Sequence, residues 1–129
     1  TNGKPVHHID FTRPYDEGVR AAILKAVGDV GETAHDEGCY ACVNGPRLET
    51  AAEIRMLARD GCDLVGQTGM PEAALAAELE LPYAALCPIV NPAAGVGDSA
   101  AAISREEIVR VRAAMFVRIE RILEAFVTG

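Results

Sequence analysis

The sequence contains no tryptophan, and aromatic residues make up only 5% of its 129 residues. Half of the residues are nonetheless hydrophobic, so the core must be built mainly from aliphatic side chains. A chain of this length can bury a substantial core within one domain. We therefore expect residues 1–129 to form a single domain with an aliphatic interior.

Basic clusters and long hydrophobic runs are also missing from the sequence. The 12 lysines and arginines are spread along a chain with a formal net charge of -7. Binding to nucleic acid or to an anionic membrane needs a concentrated basic patch, so neither is an expected partner. No apolar run approaches the roughly 20 residues that cross a bilayer, and no signal peptide opens the sequence. The composition therefore predicts a soluble, cytoplasmic protein.

The sequence has four cysteines, but their spacing is not that of a metal site. Cys39 and Cys42 form a single C-x-x-C pair, without the second pair or the histidines that complete a zinc site. If residues 39–43 form a strand, positions three apart point to opposite faces and cannot share one metal. Zinc binding or redox chemistry is a minor alternative to reduced core thiols, and we expect no metal.

Strand-like and helix-like segments alternate along the chain. Short apolar runs bounded by turn residues predict strands at residues 6–12, 35–43, 62–66 and 83–91. Apolar residues at helical spacing predict helices at residues 16–30, 50–61, 70–80 and 104–126. Residues 92–103 are predicted to form a loop of small residues. Four strand–helix units in series predict an α/β fold with a largely parallel sheet flanked by helices.

Three loops that follow predicted strands are candidates for a site, at residues 44–50, 66–71 and 91–95. In parallel α/β sheets, ligands bind at the carboxyl ends of the strands, where loops meet helix N-termini. Thr68 offers a hydroxyl beside the N–H groups at the start of the next helix, which suits a phosphate. Each loop also has a structural interpretation. Glu49 suits a helix start, the Thr68 segment is an ordinary turn, and the Asn91 amide caps its own turn.

The three loops together carry a more specific signal than any one of them. They contain, in order, the motifs GPRLETAAEIR, VGQTGMPE and IVNPAAG, with HHIDFTRPY ahead of them. In these motifs the sequence resembles the carboxyl-terminal half of the purine nucleoside phosphorylases of the type that includes methylthioadenosine phosphorylases. The pattern is most similar to that of the S-methyl-5'-thioinosine phosphorylases of this family. The resemblance covers nearly the whole chain and implies the carboxyl-terminal portion of a phosphorylase-type α/β domain.

The resemblance implies how the purine base is held. Asn91 corresponds to the catalytic residue that contacts N7 and O6, where a carboxamide donates to O6 and an ionised aspartate repels it. Glu49 corresponds to a carboxylate that bonds the N1–H of the base, and Leu48 to an aromatic residue that packs on the base. Relatives that prefer adenine have aspartate at the positions of Asn91 and Ala93, so the resemblance favours 6-oxopurines.

The resemblance also implies contacts to phosphate, ribose and a neighbouring subunit. Thr68 corresponds to a hydroxyl ligand of phosphate. Tyr40 lines the ribose region together with Gln67, which replaces the usual methionine. His8 corresponds to a residue that reaches the 5' group in a neighbouring subunit, which implies a homo-oligomer, commonly a trimer. Inorganic phosphate is the implied co-substrate, and no cofactor is implied.

The implied activity is that of a pentosyltransferase that cleaves 6-oxopurine nucleosides with phosphate. S-methyl-5'-thioinosine or inosine would give the free base and a ribose 1-phosphate derivative. An oxocarbenium-like ribose needs positioning and electrostatic stabilisation rather than a covalent intermediate. Two alternatives are a methylthioadenosine phosphorylase and an inactive half-domain, because the family's first half, with its further phosphate ligands, lies outside this sequence.

Overall fold

The computed structural model describes residues 8–97 and 104–129. Within these residues the chain forms helices and strands in the order α1, β1, α2, β2, α3, α4. The helices are α1 (Glu17–Asp29), α2 (Ala51–Arg59), α3 (Glu72–Glu78) and α4 (Arg105–Thr128). The strands are β1 (Tyr40–Cys42) and β2 (Leu64–Gly66). None of the described helices combines the length and apolar content that crossing a bilayer requires.

The core lies between the first and last helices. Ala26 and Val27 of α1 are 2% and 3% exposed, and Ile122 of α4 packs against them. Full burial of a branched side chain such as Val27 or Ile122 contributes roughly 1.5–3 kcal/mol. Partly buried apolar side chains surround this cluster: Ile23, Val30, Leu86, Ala125 and Phe126. With one aromatic among these residues, the predicted aliphatic interior is confirmed.

Capping residues set the starts of α1 and α4. Asp16 accepts a hydrogen bond from the N–H of Val19 at 2.8 Å, and Ser104 accepts one from the N–H of Glu107 at 3.2 Å. Each contact satisfies an N–H group that has no partner within the helix. Both helices end within two residues of their predicted bounds.

α4 is also tied to the segment that follows α1. Arg118 donates to the Glu32 carboxylate at 2.8 Å, and Arg121 donates to the carbonyl of Val30 at 2.8 Å. The Glu32 side chain is only 15% exposed, so the arginine replaces hydration that the carboxylate loses. The hydrogen bond from Arg118 holds the pKa of Glu32 below its usual value.

β1 and β2 are parallel neighbours, with Tyr40 opposite Leu64. The N–H groups of Asp63 and Leu64 both donate to the carbonyl of Cys39, at 2.9 and 3.2 Å. α2 lies between the two strands in the chain, which makes β1–α2–β2 a strand–helix–strand crossover of the kind that parallel pairing requires. The predicted α/β class with a parallel sheet is therefore confirmed in the described residues.

The first predicted strand, over residues 6–12, is not formed in its described part. Residues 6 and 7 lie outside the described residues, and residues 8–12 form no strand. The N–H of Thr12 donates to the Asp10 carboxylate at 2.9 Å. This contact gives the backbone a local partner and so competes with pairing to another strand.

The second and third predicted strands are shorter than expected. The strand predicted over 35–43 is limited to β1, and the strand predicted over 62–66 is limited to β2. The N–H of Cys39 donates to the Asp63 carboxylate at 2.7 Å. Just before β1 begins, the N–H of Cys39 thus bonds to a side chain and not to the backbone carbonyl of a neighbouring strand.

The fourth predicted strand, over residues 83–91, is wrong, since no strand forms in this segment. Pro88 has no N–H to donate to a neighbouring strand. The carbonyl of Tyr83 instead accepts from the N–H of Asp16 at 2.7 Å, and Leu86 packs on the core between α1 and α4. Packing against helices therefore accounts for Leu86, which we assigned to a strand.

The start of α2 has the predicted capping box. The Thr50 hydroxyl accepts from the N–H of Glu53 at 3.2 Å, and the Glu53 carboxylate accepts from the N–H of Thr50 at 2.7 Å. Two N–H groups at the helix start are satisfied in this way. One turn further on, Ile54 is buried, so the box fixes where α2 begins relative to its buried face.

Replacing Thr50 with alanine is expected to lower the free energy of unfolding by about 1 kcal/mol. The change removes the hydroxyl that satisfies the N–H of Glu53. Thr50→Ser keeps a hydroxyl at this position and is the matched control, which we expect to lose less than half as much. Urea denaturation of the purified chain measures both variants, and equal losses would contradict the capping role.

Candidate active site

The three candidate loops are neighbours at the carboxyl end of the sheet. The Gln67 amide donates to the carbonyl of Arg47 at 2.6 Å, which joins the loops after β1 and β2 directly. The third loop reaches the start of α2, because a Cβ added at Gly95 would lie 2.7 Å from the Cβ of Ala51. The structure thus brings together three segments that are well separated in sequence.

Tyr40 of β1 contacts Thr68 in the loop after β2. The Tyr40 hydroxyl accepts from the N–H of Thr68 at 3.2 Å and lies 3.5 Å from the Thr68 hydroxyl. The tyrosine side chain packs over Gly66 and Gly69, and a Cβ added at Gly69 would lie 2.9 Å from the ring. Glycine is needed at these positions because any side chain would displace the ring. Thr68 itself stays exposed beside the phenol.

Gln67 lies against the first loop and approaches Glu49. Its Nε2 atom donates to the carbonyl of Arg47 and to Glu49 Oε1, the latter at 3.3 Å. The amide also packs closely on Gly45, where an added Cβ would collide with it. The resemblance implied that this side chain lies in the ribose region. In the structure it helps to hold a carboxylate oxygen of Glu49 in place, and its role in the ribose region stays a prediction.

Arg47 is paired with Glu53. Its guanidinium donates to both oxygens of the Glu53 carboxylate, at 2.6 and 2.9 Å. Hydrogen bonds from Arg47, followed by those from Thr50, lower the pKa of Glu53 from its usual value to about 2. The bidentate pair and the capping box together fix the loop that presents Leu48 and Glu49.

The Glu53 contacts predict acid sensitivity of the fold. Because the pKa is about 2 when folded and 4.5 ordinarily, the stabilisation is complete above about pH 5 and is lost as the pH falls from 4.5 toward 2. We expect Glu53→Gln to be less stable than the parent chain at neutral pH. Between about pH 5 and 3 the variant should then lose less stability than the parent.

Urea denaturation at about pH 7, 5 and 3 measures this difference. Glu78→Gln, which removes an exposed carboxylate at the end of α3, controls for the change in net charge. If Glu53→Gln and the parent chain lose equal stability between pH 5 and 3, the Arg47–Glu53 pair does not contribute as described.

Asn91 is half-buried at the start of the third loop. Its amide donates to the carbonyl of Pro92 at 2.7 Å, so the capping role that we considered for it is present. A carboxamide has a second N–H and an acceptor oxygen. The contact with Pro92 fixes which way these two groups point, and the role of Asn91 in binding a base stays a prediction.

His8 and Leu48 are both exposed, Leu48 to 55%. Within the described residues, no hydrogen bond joins His8 or Asn91 to the Tyr40–Thr68 or Gln67–Glu49 contacts. Hydrogen bonds therefore join four of the predicted site residues in two pairs, Tyr40–Thr68 and Gln67–Glu49. The other three predicted site residues, including Leu48, lie outside these pairs.

The helix after the Thr68 loop is shorter than the predicted helix over 70–80. α3 has Pro71 at its N-cap and no side-chain cap. The N–H of Ala73 donates to the carbonyl of Gly69 at 3.0 Å, so this group is not available to an anion. One of the N–H groups at the helix start is thus already bonded within the chain, and the phosphate-binding role of the exposed Thr68 hydroxyl stays a prediction.

Sequence reasoning missed the contacts that support the Thr68 loop. The sequence analysis does not predict that the Tyr40 ring packs against Gly66 and Gly69. The Cys42 thiol, which we weighed only as a metal ligand or core thiol, donates to the carbonyl of Thr68 at 3.2 Å. The sequence does carry a signal for this contact, namely the two glycines on either side of Gln67 and Thr68. Glycine near a strand end often marks a place where another group comes close to the backbone.

A cleft of about 830 Å³ lies away from these loops. It is bounded by α4 and the segment after α3, and its apolar lining includes Val27, Leu86, Met115, Ile119 and Ile122. Of the predicted site residues only Tyr40 reaches it. The volume of this cleft therefore says nothing about the predicted nucleoside site.

Comparison with known families and proteins gives consistent matches. The model of the phosphorylase superfamily matches residues 1–128. A probable S-methyl-5'-thioinosine phosphorylase of Pseudomonas syringae pv. tomato is 58% identical over 103 residues, which are 80% of this chain and 41% of the relative. A 6-oxopurine nucleoside phosphorylase of Pyrococcus furiosus is 44% identical over 108 residues, which are 84% of this chain and 40% of the relative. The chain thus spans less than half the length of these relatives.

Solved structures show a similar fold. The methylthioadenosine phosphorylase of Schistosoma mansoni in complex with adenine superposes with a TM-score of 0.83 at 23% identity. The match covers 97% of this chain and 49% of that protein. The prediction that the chain corresponds to about half of a phosphorylase-type fold is confirmed.

Proposed function

Because the chain belongs to the phosphorylase superfamily, we propose that it forms part of an enzyme that cleaves 6-oxopurine nucleosides with inorganic phosphate. The substrate would be S-methyl-5'-thioinosine or inosine, and the products the free base and a ribose 1-phosphate derivative. The observation that carries this proposal is the meeting of the Gln67–Glu49 and Tyr40–Thr68 contacts at the carboxyl end of the sheet. The names of the two relatives given above support the same substrate class.

The base would be recognised by an amide and a carboxylate. Asn91 would donate to O6 and accept from a protonated N7, which stabilises the base as it leaves the sugar. Glu49, steadied by Gln67 at 3.3 Å, would accept the N1–H that 6-oxopurines carry and 6-aminopurines lack. Exposed Leu48 would cover the base as an aliphatic residue, without the additional attraction of an aromatic ring.

Phosphate and ribose would bind on the other side of Gln67. Thr68 would donate its hydroxyl to phosphate, and the Tyr40 hydroxyl 3.5 Å away would orient it. The tyrosine ring would border the ribose, with Gln67 beside it. The developing positive charge on the ribose would then lie between a leaving base and an incoming anion, which is a matter of positioning and electrostatics.

We also propose that residues 1–129 are the carboxyl-terminal portion of one nucleoside phosphorylase domain, and that the enzyme is a homo-oligomer, such as a trimer. Exposed His8 would then reach the 5' substituent in a neighbouring subunit. The support is the share of the relatives that the chain covers, 41% and 40%, together with the exposure of His8. Ligands for phosphate beyond Thr68 would come from the remaining part of the domain.

The proposal is tested by phosphate-dependent release of hypoxanthine from S-methyl-5'-thioinosine and inosine. Methylthioadenosine is the comparison substrate, and phosphate-free buffer is the blank. We expect a higher kcat/KM for the two 6-oxopurine nucleosides. A higher value for methylthioadenosine would favour the alternative, a methylthioadenosine phosphorylase.

The purified 129-residue chain and a chimera are assayed side by side. In the chimera, this chain replaces the matched segment of the Pseudomonas syringae relative, and the intact relative is the control. Activity of the chain alone would exclude the alternative of an inactive half-domain. An inactive chimera beside an active relative would contradict the proposed function for these residues.

A further inference from the structure

Cys39 and Cys62 lie side by side just before β1 and β2. Their sulfur atoms are 4.0 Å apart, although the residues are 23 positions apart in sequence. Cys39 is exposed and Cys62 is half-buried. The proposed phosphorolysis uses neither thiol. From this geometry we propose that Cys39 and Cys62 form a reversible disulfide.

The backbones of the two cysteines are close enough for such a bridge. Both residues lie outside β1 and β2, so the alternation of side chains along a regular strand, which would point them to opposite faces, does not determine where their sulfur atoms lie. Tyr40 is opposite Leu64, so Cys39 lies opposite Asp63, and Cys62 is one residue further back. Strands about 4.8 Å apart with a rise of about 3.3 Å per residue put the two cysteine Cα atoms about 5.8 Å apart. Disulfides join Cα atoms roughly 4.4–6.8 Å apart, so the bridge fits without moving the strands.

The backbone at this point is held on both sides of the pair. The N–H of Cys39 donates to the Asp63 carboxylate at 2.7 Å, and the carbonyl of Cys39 accepts from the N–H of Asp63 at 2.9 Å. The sulfur atoms must approach from 4.0 Å to the bonding distance of about 2 Å. Rotation of the side chains about their Cα–Cβ bonds supplies that movement.

The structure favours this pair over the C-x-x-C pair that the sequence suggests. The Cys42 thiol donates to the carbonyl of Thr68 at 3.2 Å, which directs it toward the loop after β2. The Cys39 thiol donates to Cys62. The four-residue C-x-x-C motif therefore does not identify the partner of Cys39, because the segments before the two strands bring Cys62 to it.

The step needs a disulfide of low molecular weight, such as oxidised glutathione, as oxidant. The Cys39 thiolate attacks one sulfur of that disulfide, its S–S bond breaks, and one thiolate leaves. The Cys62 thiolate then attacks the Cys39 sulfur of the mixed disulfide and releases the second thiolate. The two cysteines together lose two protons and two electrons, and the small disulfide is reduced to two thiols. Burial, with a further contribution from Cys39, raises the pKa of the Cys62 thiol, which agrees with Cys39 acting first.

The test is intact-mass measurement of the purified chain after native incubation with excess oxidised glutathione. We expect the mass to fall by about 2 Da, for two hydrogens, and to return with dithiothreitol. Cys39→Ser and Cys62→Ser should abolish the change, whereas Cys42→Ser and Cys87→Ser should retain it. In urea the strands no longer hold the two thiols together. The ratio of the Cys39–Cys62 bridge to other cysteine bridges should therefore be at least tenfold lower there.

A peptide map of the parent chain identifies the bridge even if a variant fails to fold. Chymotrypsin cleaves after Tyr40 and so separates Cys39 from Cys42. A linked peptide with Cys39 and Cys62 would support the proposal. A Cys39–Cys42 link, or a stable glutathione adduct without any bridge, would overturn it. This experiment measures covalent mass and not catalysis. Neither outcome therefore bears on the proposed phosphorolysis, which the activity assays test separately.

Discussion

Replacing Asn91 with aspartate is expected to lower kcat/KM for inosine and S-methyl-5'-thioinosine by about 100-fold or more. The carboxylate has no N–H to donate to O6 and carries a charge that repels this oxygen. An amino group at position 6 would meet an acceptor instead. The ratio of adenosine-type to inosine-type activity should therefore rise, even where both activities fall.

The local geometry makes this substitution more severe than a simple loss of one contact. The Asn91 amide donates to the carbonyl of Pro92 at 2.7 Å, and an aspartate oxygen in that place would face another oxygen. The carboxylate must then rotate away from the position at which the amide was held. For this reason we expect loss of 6-oxopurine activity to exceed the gain in 6-aminopurine activity.

Kinetics of the chimera with inosine, adenosine and their methylthio analogues measure the effect. Asn44→Asp is the matched control, since it adds the same charge at an exposed position at the beginning of the first loop. It should leave the preference for 6-oxopurines unchanged. Unaltered selectivity between inosine and adenosine analogues in Asn91→Asp would remove Asn91 from base recognition.

The helices could be predicted closely because their signals are local. The caps of α1 and α4, Asp16 and Ser104, stand immediately before their helices, and the apolar spacing that follows is a property of each segment alone. The Thr50–Glu53 capping box was predicted from two residues three apart, and both of its hydrogen bonds are present. No distant residue is needed to specify these features.

The strands could not be predicted in the same way, because a strand is defined by its partner. The apolar run over 83–91 suits a buried strand and equally suits packing on a helix, and Leu86 lies on the α1–α4 core. Periodicity does not distinguish these outcomes in a short run. At Asp10 a side chain close in sequence gives the backbone a partner, and residues 8–12 form no strand.

The proximity of the candidate loops was predictable, and the contacts between them were not. Parallel strands end at the same edge of a sheet, so the loops after β1 and β2 had to be neighbours. The contact between Gln67 and Glu49 depends on the register of β1 against β2, which the sequence does not state. The same pairing brings the segments before the two strands together, where the Cys39 and Cys62 sulfur atoms are 4.0 Å apart. A one-residue shift would change both pairs.

Replacing Gly69 with alanine is expected to lower the free energy of unfolding by about 3 kcal/mol or more. Gly69 has a backbone φ of 98°, which residues that carry a side chain rarely adopt. The added Cβ would also lie 2.9 Å from the Tyr40 ring, too close for either group to stay in place. Backbone strain and a steric clash thus act at the same residue.

Gly61 provides a matched control for the two causes. Its φ is 87°, and a Cβ added there meets nothing within 4 Å. Gly61→Ala therefore carries the backbone strain without the clash, and we expect it to cost about 1–2 kcal/mol. Urea denaturation of both variants separates the contributions. Equal losses would mean that the Tyr40 ring moves aside without cost.

The same pair of variants connects the stability of the loop to its proposed role. The Tyr40 hydroxyl accepts from the N–H of Thr68 and lies 3.5 Å from its hydroxyl, so a ring displaced by Gly69→Ala no longer orients that side chain. In the chimera, we expect the KM for phosphate to rise about tenfold in Gly69→Ala, for the loss of one oriented hydrogen bond, and to stay unchanged in Gly61→Ala. An unchanged KM in both variants would limit the Tyr40–Thr68 contact to folding, and phosphate binding would then depend on residues outside this loop.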